Sequence, residues 1–151
     1  MRLLSAVSAG LVLLAASGSA QAAEILDGNR LEVEGQAMRL HGIDAFELTQ
    51  TCLDARGVPW RCGVVARAAL TERVQGTTLS CTVLDEDADG VYIARCATQD
   101  GTDLGAYLVE NGLALAAPTV ADYAALETAA RAADAGAWEG IFMPPWQWRA
   151  Q

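Results

Sequence analysis

The chain contains no lysine, and all ten of its basic residues are arginines. They stand against nineteen acidic residues, which gives a formal net charge of −9. Because affinity for nucleic acids comes largely from cationic side chains that displace the counterions of phosphates, this balance argues against a general nucleic-acid binder. The arginines form no basic run, so we expect nucleic acid to be bound only weakly, at one small site.

The sequence also lacks an apolar run long enough for a transmembrane helix. Residues 3–16 are apolar but shorter than the roughly 20 residues that a membrane span needs. They follow Arg2 and precede the small-residue signal Ala20-Gln21-Ala22, which predicts a signal peptide over residues 1–22. An uncleaved anchor is the alternative, and the absence of a cysteine at the cleavage point argues against a lipoprotein. We expect a periplasmic or secreted protein with no membrane attachment after cleavage, in which residues 23–151 form one domain.

A single histidine and the absence of a C-x-x-C pair argue against a zinc site, the competing interpretation of the cysteines. The four cysteines all lie in the predicted mature part, where an oxidising compartment favours disulfides. Four cysteines allow three pairings. Cys81 and Cys96 flank an apparent hairpin, so they are expected to face each other, which leaves Cys52 and Cys62 to close a short loop.

The hydrophobic patterning predicts a small α+β domain. Strand-like pieces cover residues 24–26, 30–33 and 37–41, and a hairpin covers 79–84 and 91–97. Amphipathic helices are predicted at residues 62–74, 103–110 and 121–133. This order indicates a five-stranded barrel capped by three helices, with no internal repeat or second domain.

Five motifs occur in an order that resembles the staphylococcal nuclease (thermonuclease) family. The resemblance covers nearly all of the predicted mature chain and implies the family's OB-type barrel. Residues 27–31 resemble the family pattern D-G-D-T-L, and residues 39–47 resemble R-L-x-G-I-D-A-P-E. Residues 85–91 resemble D-x-D-x-Y-G-R, and residues 108–114 resemble L-V-x-x-G-L-A. Residues 130–149 resemble the family's ending, A-R…G-x-W…P-W-x-W-R.

The resemblance implies three functional side chains on residues 39–47. It implies Glu47 as the general base that activates water, and Arg39 as one of two guanidinium clamps on phosphate. It implies Asp44 as an oxygen ligand for calcium, the cofactor of an active enzyme. The alternatives are a surface ion pair for Arg39, and turn formation with solvation for Asp44 and Glu47.

Three departures weaken this site. Asn29 stands where the family has a second calcium-binding aspartate, so one anionic ligand is a neutral amide. Val91 stands where the family has its second arginine, a type of contact worth on the order of 10³–10⁵ in rate for phosphoryl transfer. Asp89 replaces the neighbouring tyrosine and adds negative charge near the expected phosphate. Replacement of the missing clamp by Arg30 is a hypothesis, and Arg95 lies about 13 Å too far along its strand.

Other candidate sites have simpler explanations. Residues 85–90 open like an EF-hand loop, but the twelfth position is Cys96, which favours a solvated acidic hairpin tip. His41 and the four tryptophans are predicted to pack rather than to bind ligands. We therefore expect an exported nuclease homologue with little or no hydrolytic activity and a binding or structural role. The alternative is an active calcium-dependent nuclease, and the sequence identifies no protein partner.

Overall fold

The computed structural model describes residues 23–151, and the predicted signal peptide at 1–22 lies outside the described residues. The described chain begins with six short strands, and the remaining strands and helices follow them. In chain order they are β1 (Glu24–Ile25), β2 (Arg30–Val33), β3 (Gln36–Leu40), β4 (Ile43–Ala45), β5 (Cys52–Leu53), β6 (Pro59–Trp60), α1 (Cys62–Val74), β7 (Leu79–Glu86), β8 (Tyr92–Thr98), α2 (Leu104–Glu110), β9 (Ala114–Ala116), α3 (Ala124–Ala132), a 3₁₀ turn (Gly136–Glu139) and α4 (Pro145–Trp148).

Five strands pair in the order β1-β2-β3-β8-β7. The β2–β3 connection is a two-residue turn in which Glu34 and Gly35 both have positive φ, at 53° and 78°. Two-residue turns with positive φ at both positions match the twist of the flanking strands. Glycine at the second position adopts its positive φ without a steric penalty. β3 then pairs in parallel with β8, which forms an antiparallel hairpin with β7. The predicted class is confirmed: an α+β, OB-type fold with helices packed on a five-stranded sheet.

The hydrophobic core lies between the sheet and helices α1 and α2. α1 contributes Ala66, Leu70 and Val74, spaced at i, i+4 and i+8 so that they share one face. Leu31 of β2 and Leu108 of α2 are fully buried against the same cluster. None of the helices within residues 23–151 has the length and apolar character that crossing a membrane requires.

The boundaries differ most from the prediction at the third helix and at the hairpin. The third helix begins at Ala124 rather than at residue 121, because Asp122 and Tyr123 are engaged in tertiary contacts with Arg95 and Asp103. The hairpin strands extend to Glu86 and Thr98, with a bulge after Val83. Two small strand pairs, β4–β9 and β5–β6, were not predicted, since each has only two or three residues.

Both disulfides join the predicted partners. Cys81 and Cys96 are directly opposite in the β7–β8 register, with their Cα atoms 4.0 Å apart. Cys52 and Cys62 join β5 to the first residue of α1, with a Cα separation of 5.7 Å.

Candidate functional site

A cleft of about 570 Å³ opens beside β2, β3 and β4. It contains three carboxylates and three guanidinium groups, so its formal charge is close to zero although the chain as a whole is strongly acidic. Its lining comprises Asp27, Asn29, Arg30, Arg39, Ile43, Asp44, Glu47, Ala117, Pro118, Trp146 and Arg149.

Two of the guanidinium groups come from one rung of the sheet. Arg30 of β2 and Arg39 of β3 are direct partners in the antiparallel register. Like charges placed opposite each other destabilise a strand pair, so each needs a counter-charge. Arg30 Nε donates to Asp27 Oδ2, and Arg39 Nη2 lies 3.6 Å from Asp87 Oδ2. The predicted clamp Arg39 thus lies in the cleft, with an aspartate of the β7–β8 turn beside it.

Asp27 organises the turn that leads into β2. Its Oδ1 accepts hydrogen bonds from the backbone N–H groups of Asn29 and Arg30, at 2.9 and 2.8 Å. Asp27 is only 8% exposed, so most of its hydrogen-bonding capacity is used within the turn. Asn29, the predicted weakened metal ligand, lines the same cleft and contributes a neutral amide there.

Asp44 and Glu47 approach the cleft from β4 and the loop that follows it. Ile43 and Ala45 are buried on one face of β4, and the alternation of a strand therefore turns Asp44 to the other face. Glu47 begins a turn closed by the hydrogen bond from Gln50 N–H to the Glu47 carbonyl, at 2.8 Å. The structure thus places Arg39, Asp44 and Glu47 on one cleft.

A third guanidinium, that of Arg149, contacts both of these carboxylates. Its Nη1 donates to Asp44 Oδ1 and to Glu47 Oε1, each at 2.8 Å, and its Nη2 donates to Asp44 Oδ2 at 2.8 Å. The hydrogen bonds to Asp44, and then the single hydrogen bond to Glu47, raise the pKa of Arg149 above its ordinary range. Arg149 therefore remains charged and holds both oxygens of Asp44 in a two-pronged contact, which is among the stronger hydrogen-bond arrangements in proteins.

The segment that carries Arg149 is fixed to the Glu47 loop by further contacts. The fully buried Gln50 donates from Nε2 to the Met143 carbonyl at 2.6 Å. Trp148 Nε1 donates to Thr49 Oγ1 at 3.4 Å. The position of Arg149 is therefore set by the packing of the C-terminal segment and not only by its own ion pair.

Val91, which stands where the family has its second arginine, lies in the turn of the β7–β8 hairpin. Val91 is half-buried, and its N–H donates to Asp87 Oδ1 at 2.9 Å, which closes the hairpin turn. The Asp89 N–H donates to the same oxygen at 3.0 Å. Asp87 therefore stabilises the turn through Oδ1, and its Oδ2 lies near Arg39. These contacts give no support to the EF-hand interpretation.

The remaining predicted candidates lie in two places. Arg95 contacts Asp122 and lies 3.7 Å from Asp103, on a surface that does not line the cleft. His41 Nε2 lies 3.4 Å from Asp122 in the same group. Trp146, in contrast, lines the cleft with 39% of its surface exposed, whereas Trp138 packs edge-on against Phe142.

This fold and this cleft define a nuclease-type OB domain, with a guanidinium, an aspartate and a glutamate on adjacent elements. A family model described as "Staphylococcal nuclease homologue" matches residues 37–140. The chain is also 31% identical over 144 residues to the "Succinoglycan biosynthesis protein ExoI" of Rhizobium meliloti (strain 1021), covering 91% of this chain and 75% of that protein. The chain belongs to the staphylococcal nuclease homologue family.

Membership implies a calcium site, and the cleft residues do not fit one as they are arranged. Calcium takes six to eight oxygen ligands, largely from carboxylates. Both Asp44 oxygens accept hydrogen bonds from Arg149, and Asp27 is committed to its turn and to Arg30. Among residues 23–151, no three histidine, cysteine or acidic side chains are grouped so that they could hold a metal ion.

Two cleft residues, Arg149 and Asp27, were not among the predicted site residues. Both belong to motifs that were recognised, the P-W-x-W-R ending and the D-G-N turn. The signal for Arg149 was the ending itself, but the contact to Glu47 spans 102 residues, and nothing local indicates it.

Proposed function

We propose that this chain is an exported nuclease homologue with little or no phosphodiester-hydrolysing activity, whose cleft has a binding or structural role. The observation that carries this proposal is the charge that the cleft lacks: Asn29 contributes a neutral amide to the lining, and Val91, beside the Asp87 that faces Arg39, brings no cation. The contact of Arg149 with Asp44 and Glu47 adds to this, because these are the carboxylates to which the family resemblance assigns metal binding and water activation.

The contact weakens both assigned roles. A general base must accept a proton from water, and it works best when its carboxylate is free to bind that water. Glu47 Oε1 instead accepts a hydrogen bond from Arg149 at 2.8 Å. Asp44 has both oxygens satisfied by the same guanidinium.

The charge on the side of the cleft where phosphate is expected also argues against hydrolysis. Hydrolysis develops negative charge on the phosphoryl oxygens, which preorganised donors must stabilise. Arg39 supplies one such donor, but Val91 has neither charge nor a donor on its side chain. Arg30 lines the cleft, and its Nε donates a hydrogen bond to Asp27, so replacement of the missing clamp by Arg30 stays a hypothesis.

Export is supported by the cysteines and by the leader-like start. Both disulfides join cysteines of the domain, and such bonds persist in oxidising compartments. The relative from Rhizobium meliloti is named for succinoglycan biosynthesis, which supports a role other than the digestion of nucleic acid.

The test is a hydrolysis assay of the oxidised protein with calcium on single- and double-stranded DNA and RNA. We expect the wild type to match the buffer blank. Asn29→Asp combined with Val91→Arg restores the missing ligand and clamp, so this variant is expected to gain activity, and Glu47→Gln in that background removes it again. Turnover by the wild type that Glu47→Gln abolishes would contradict the proposal.

A second candidate, an active calcium-dependent nuclease, is favoured by one observation. Arg39, Asp44 and Glu47 line a single cleft in spite of the changes around them. The same assay separates the two candidates, because an active nuclease requires calcium-dependent turnover by the wild type.

A further inference from the structure

Strand β7 forms an edge of the five-stranded sheet, and it is the longest strand of the described chain. In the part of the chain that the structure describes, β8 pairs with one side of β7 and no strand is hydrogen-bonded to the other side. β1, at the opposite end of the strand order, has two residues and could cover little of the eight in β7. The outward backbone N–H and C=O groups of β7 are therefore available to another strand. The disulfide between Cys81 and Cys96 ties β7 to β8, so this edge is ordered before any partner binds.

The first part of this edge lacks the features that usually protect a sheet edge from pairing. Such features are lysines, prolines, bulges and charged side chains. Residues 77–84 contain no proline and no charged residue, although the chain as a whole carries a net charge of −9. Half of them are β-branched, a composition that favours strand pairing. The bulge after Val83 and the acidic residues of the hairpin turn come only afterwards, so residues 79–83 form a regular, uncharged edge.

We propose that β7 is a self-association surface, at which a second copy of this chain adds its own β7 in antiparallel orientation, so that the two sheets become continuous. The contact is isologous, because both copies use the same strand, and it closes at two chains, because each β7 has one open side. None of the residues that line the cleft belongs to β7. The surface therefore goes beyond the proposed function and does not depend on it.

Charge selects both the occupant and its direction. In an antiparallel pair centred on Cys81, Asp85 of one copy lies near the uncharged Thr77 of the other. The two Asp85 carboxylates then lie on opposite sides of the centre, about 27 Å apart at about 3.4 Å per residue, which is well beyond the screening length of about 8 Å at physiological salt. A parallel pair would bring the acidic turns of both copies together, and like charges opposite each other destabilise a strand pair. The uncharged part of β7 is thus complementary to itself.

The side chains of the edge match in the same register. Leu79 and Cys81 pack against the core, whereas Val83, on the same face of the strand, is 47% exposed. The added strand places Leu79 of the second copy beside Val83, so that apolar surface now in solvent is removed from water. On the other face Ser80 of one copy lies opposite Thr82 of the other, and such hydroxyl pairs stabilise neighbouring strands.

Sedimentation velocity tests this on the protein purified after export with both disulfides formed, from about 1 µM to about 1 mM, the range of weak and transient contacts. We expect the wild-type mass to rise from that of the monomer to that of the dimer and no further. Val83→Lys adds a lysine to the edge of both copies, and we expect it to raise the dimer dissociation constant at least about tenfold. Ser80→Lys, on the other face of the strand, is a second variant with the same expected effect.

The matched control is Val65→Lys, at a valine of α1 that is 43% exposed. It changes net charge and composition as Val83→Lys does, and it is expected to leave the dissociation constant unchanged. Each lysine makes this acidic chain less negative, so a general charge effect would strengthen association rather than weaken it. Near-ultraviolet circular dichroism checks that each variant is folded.

Amide hydrogen exchange locates the contact. The outward N–H groups among residues 79–83 are expected to gain protection as the wild-type concentration rises, and to gain none in Val83→Lys. The proposal is overturned if the wild type stays monomeric throughout, if assemblies larger than the dimer form, if Val65→Lys weakens association as much as Val83→Lys, or if the dimer forms without this protection. Protection of these amides in a monomer at every concentration would mean that the chain covers its own edge, and this too overturns the proposal.

Discussion

Gly63 lies at the second position of α1, directly against the loop that carries Glu47. A Cβ added to Gly63 would lie 1.8 Å from the Glu47 carbonyl oxygen and 2.9 Å from the Leu48 nitrogen. Real Cβ atoms essentially never approach other atoms closer than 3.0 Å, so the helix or the loop must move by about 1.2 Å. Both colliding groups are backbone, and the disulfide at Cys62 restrains the helix beside them.

Gly63→Ala is therefore expected to lower the free energy of unfolding by about 3 kcal/mol, the upper part of the range for overpacking a tight site. Helix propensity alone predicts the opposite sign, since alanine in a helix is more favourable than glycine by up to about 1 kcal/mol. Urea unfolding followed by tryptophan fluorescence, with both disulfides intact, measures the difference. Ala68→Gly, at an exposed position of the same helix, is the control for propensity. A Gly63→Ala protein as stable as the wild type would refute the reasoning.

Two further predictions concern stability. Replacing Cys52 and Cys62 together by serine removes the bond that closes a loop of sequence separation 10. This double substitution is expected to lower the free energy of unfolding by about 3 kcal/mol, measured by urea titration. An unchanged urea midpoint would contradict this. Burial, with the nearby Asp103 carboxylate, raises the pKa of Tyr123 to about 12. The folded state then holds a proton that the unfolded state loses above about pH 10, so stability falls as pH rises from 10 to 12. Tyr123→Phe should flatten this fall in unfolding titrations, and an equal slope in both proteins would contradict the assignment.

Much of the fold could be predicted because its signals are local. The break between the strands at residues 30–33 and 37–41, the apolar face of α1 and the end of α2 at Glu110 each depend on neighbouring residues. The start of α3 was misplaced because Asp122 is held by Arg95 from another element, which a helical pattern does not encode.

The candidate site also combines residues that local sequence places together with a residue that only tertiary packing brings in. Arg39, Asp44 and Glu47 lie within nine residues, so two consecutive short strands and the loop that follows them bring these side chains to the same cleft. Arg149 is 105 residues from Asp44 in the sequence. Its side chain reaches the cleft because the C-terminal segment packs on the loop that carries Glu47. The positive charge lost at Val91 is visible in the local sequence, whereas the positive charge that Arg149 brings depends on tertiary packing, which no local pattern encodes.

The parallel pairing of β3 with β8 also bears on the order in which the chain folds. Glu86 meets Tyr92 across a six-residue separation, whereas Met38 must find Tyr92 across 54 residues. Distant pairings pay a larger entropy of loop closure, and high contact order slows folding. We therefore expect the β7–β8 hairpin to form early in refolding, and we expect the cleft, whose closing contact reaches from Asp44 to Arg149, to form late.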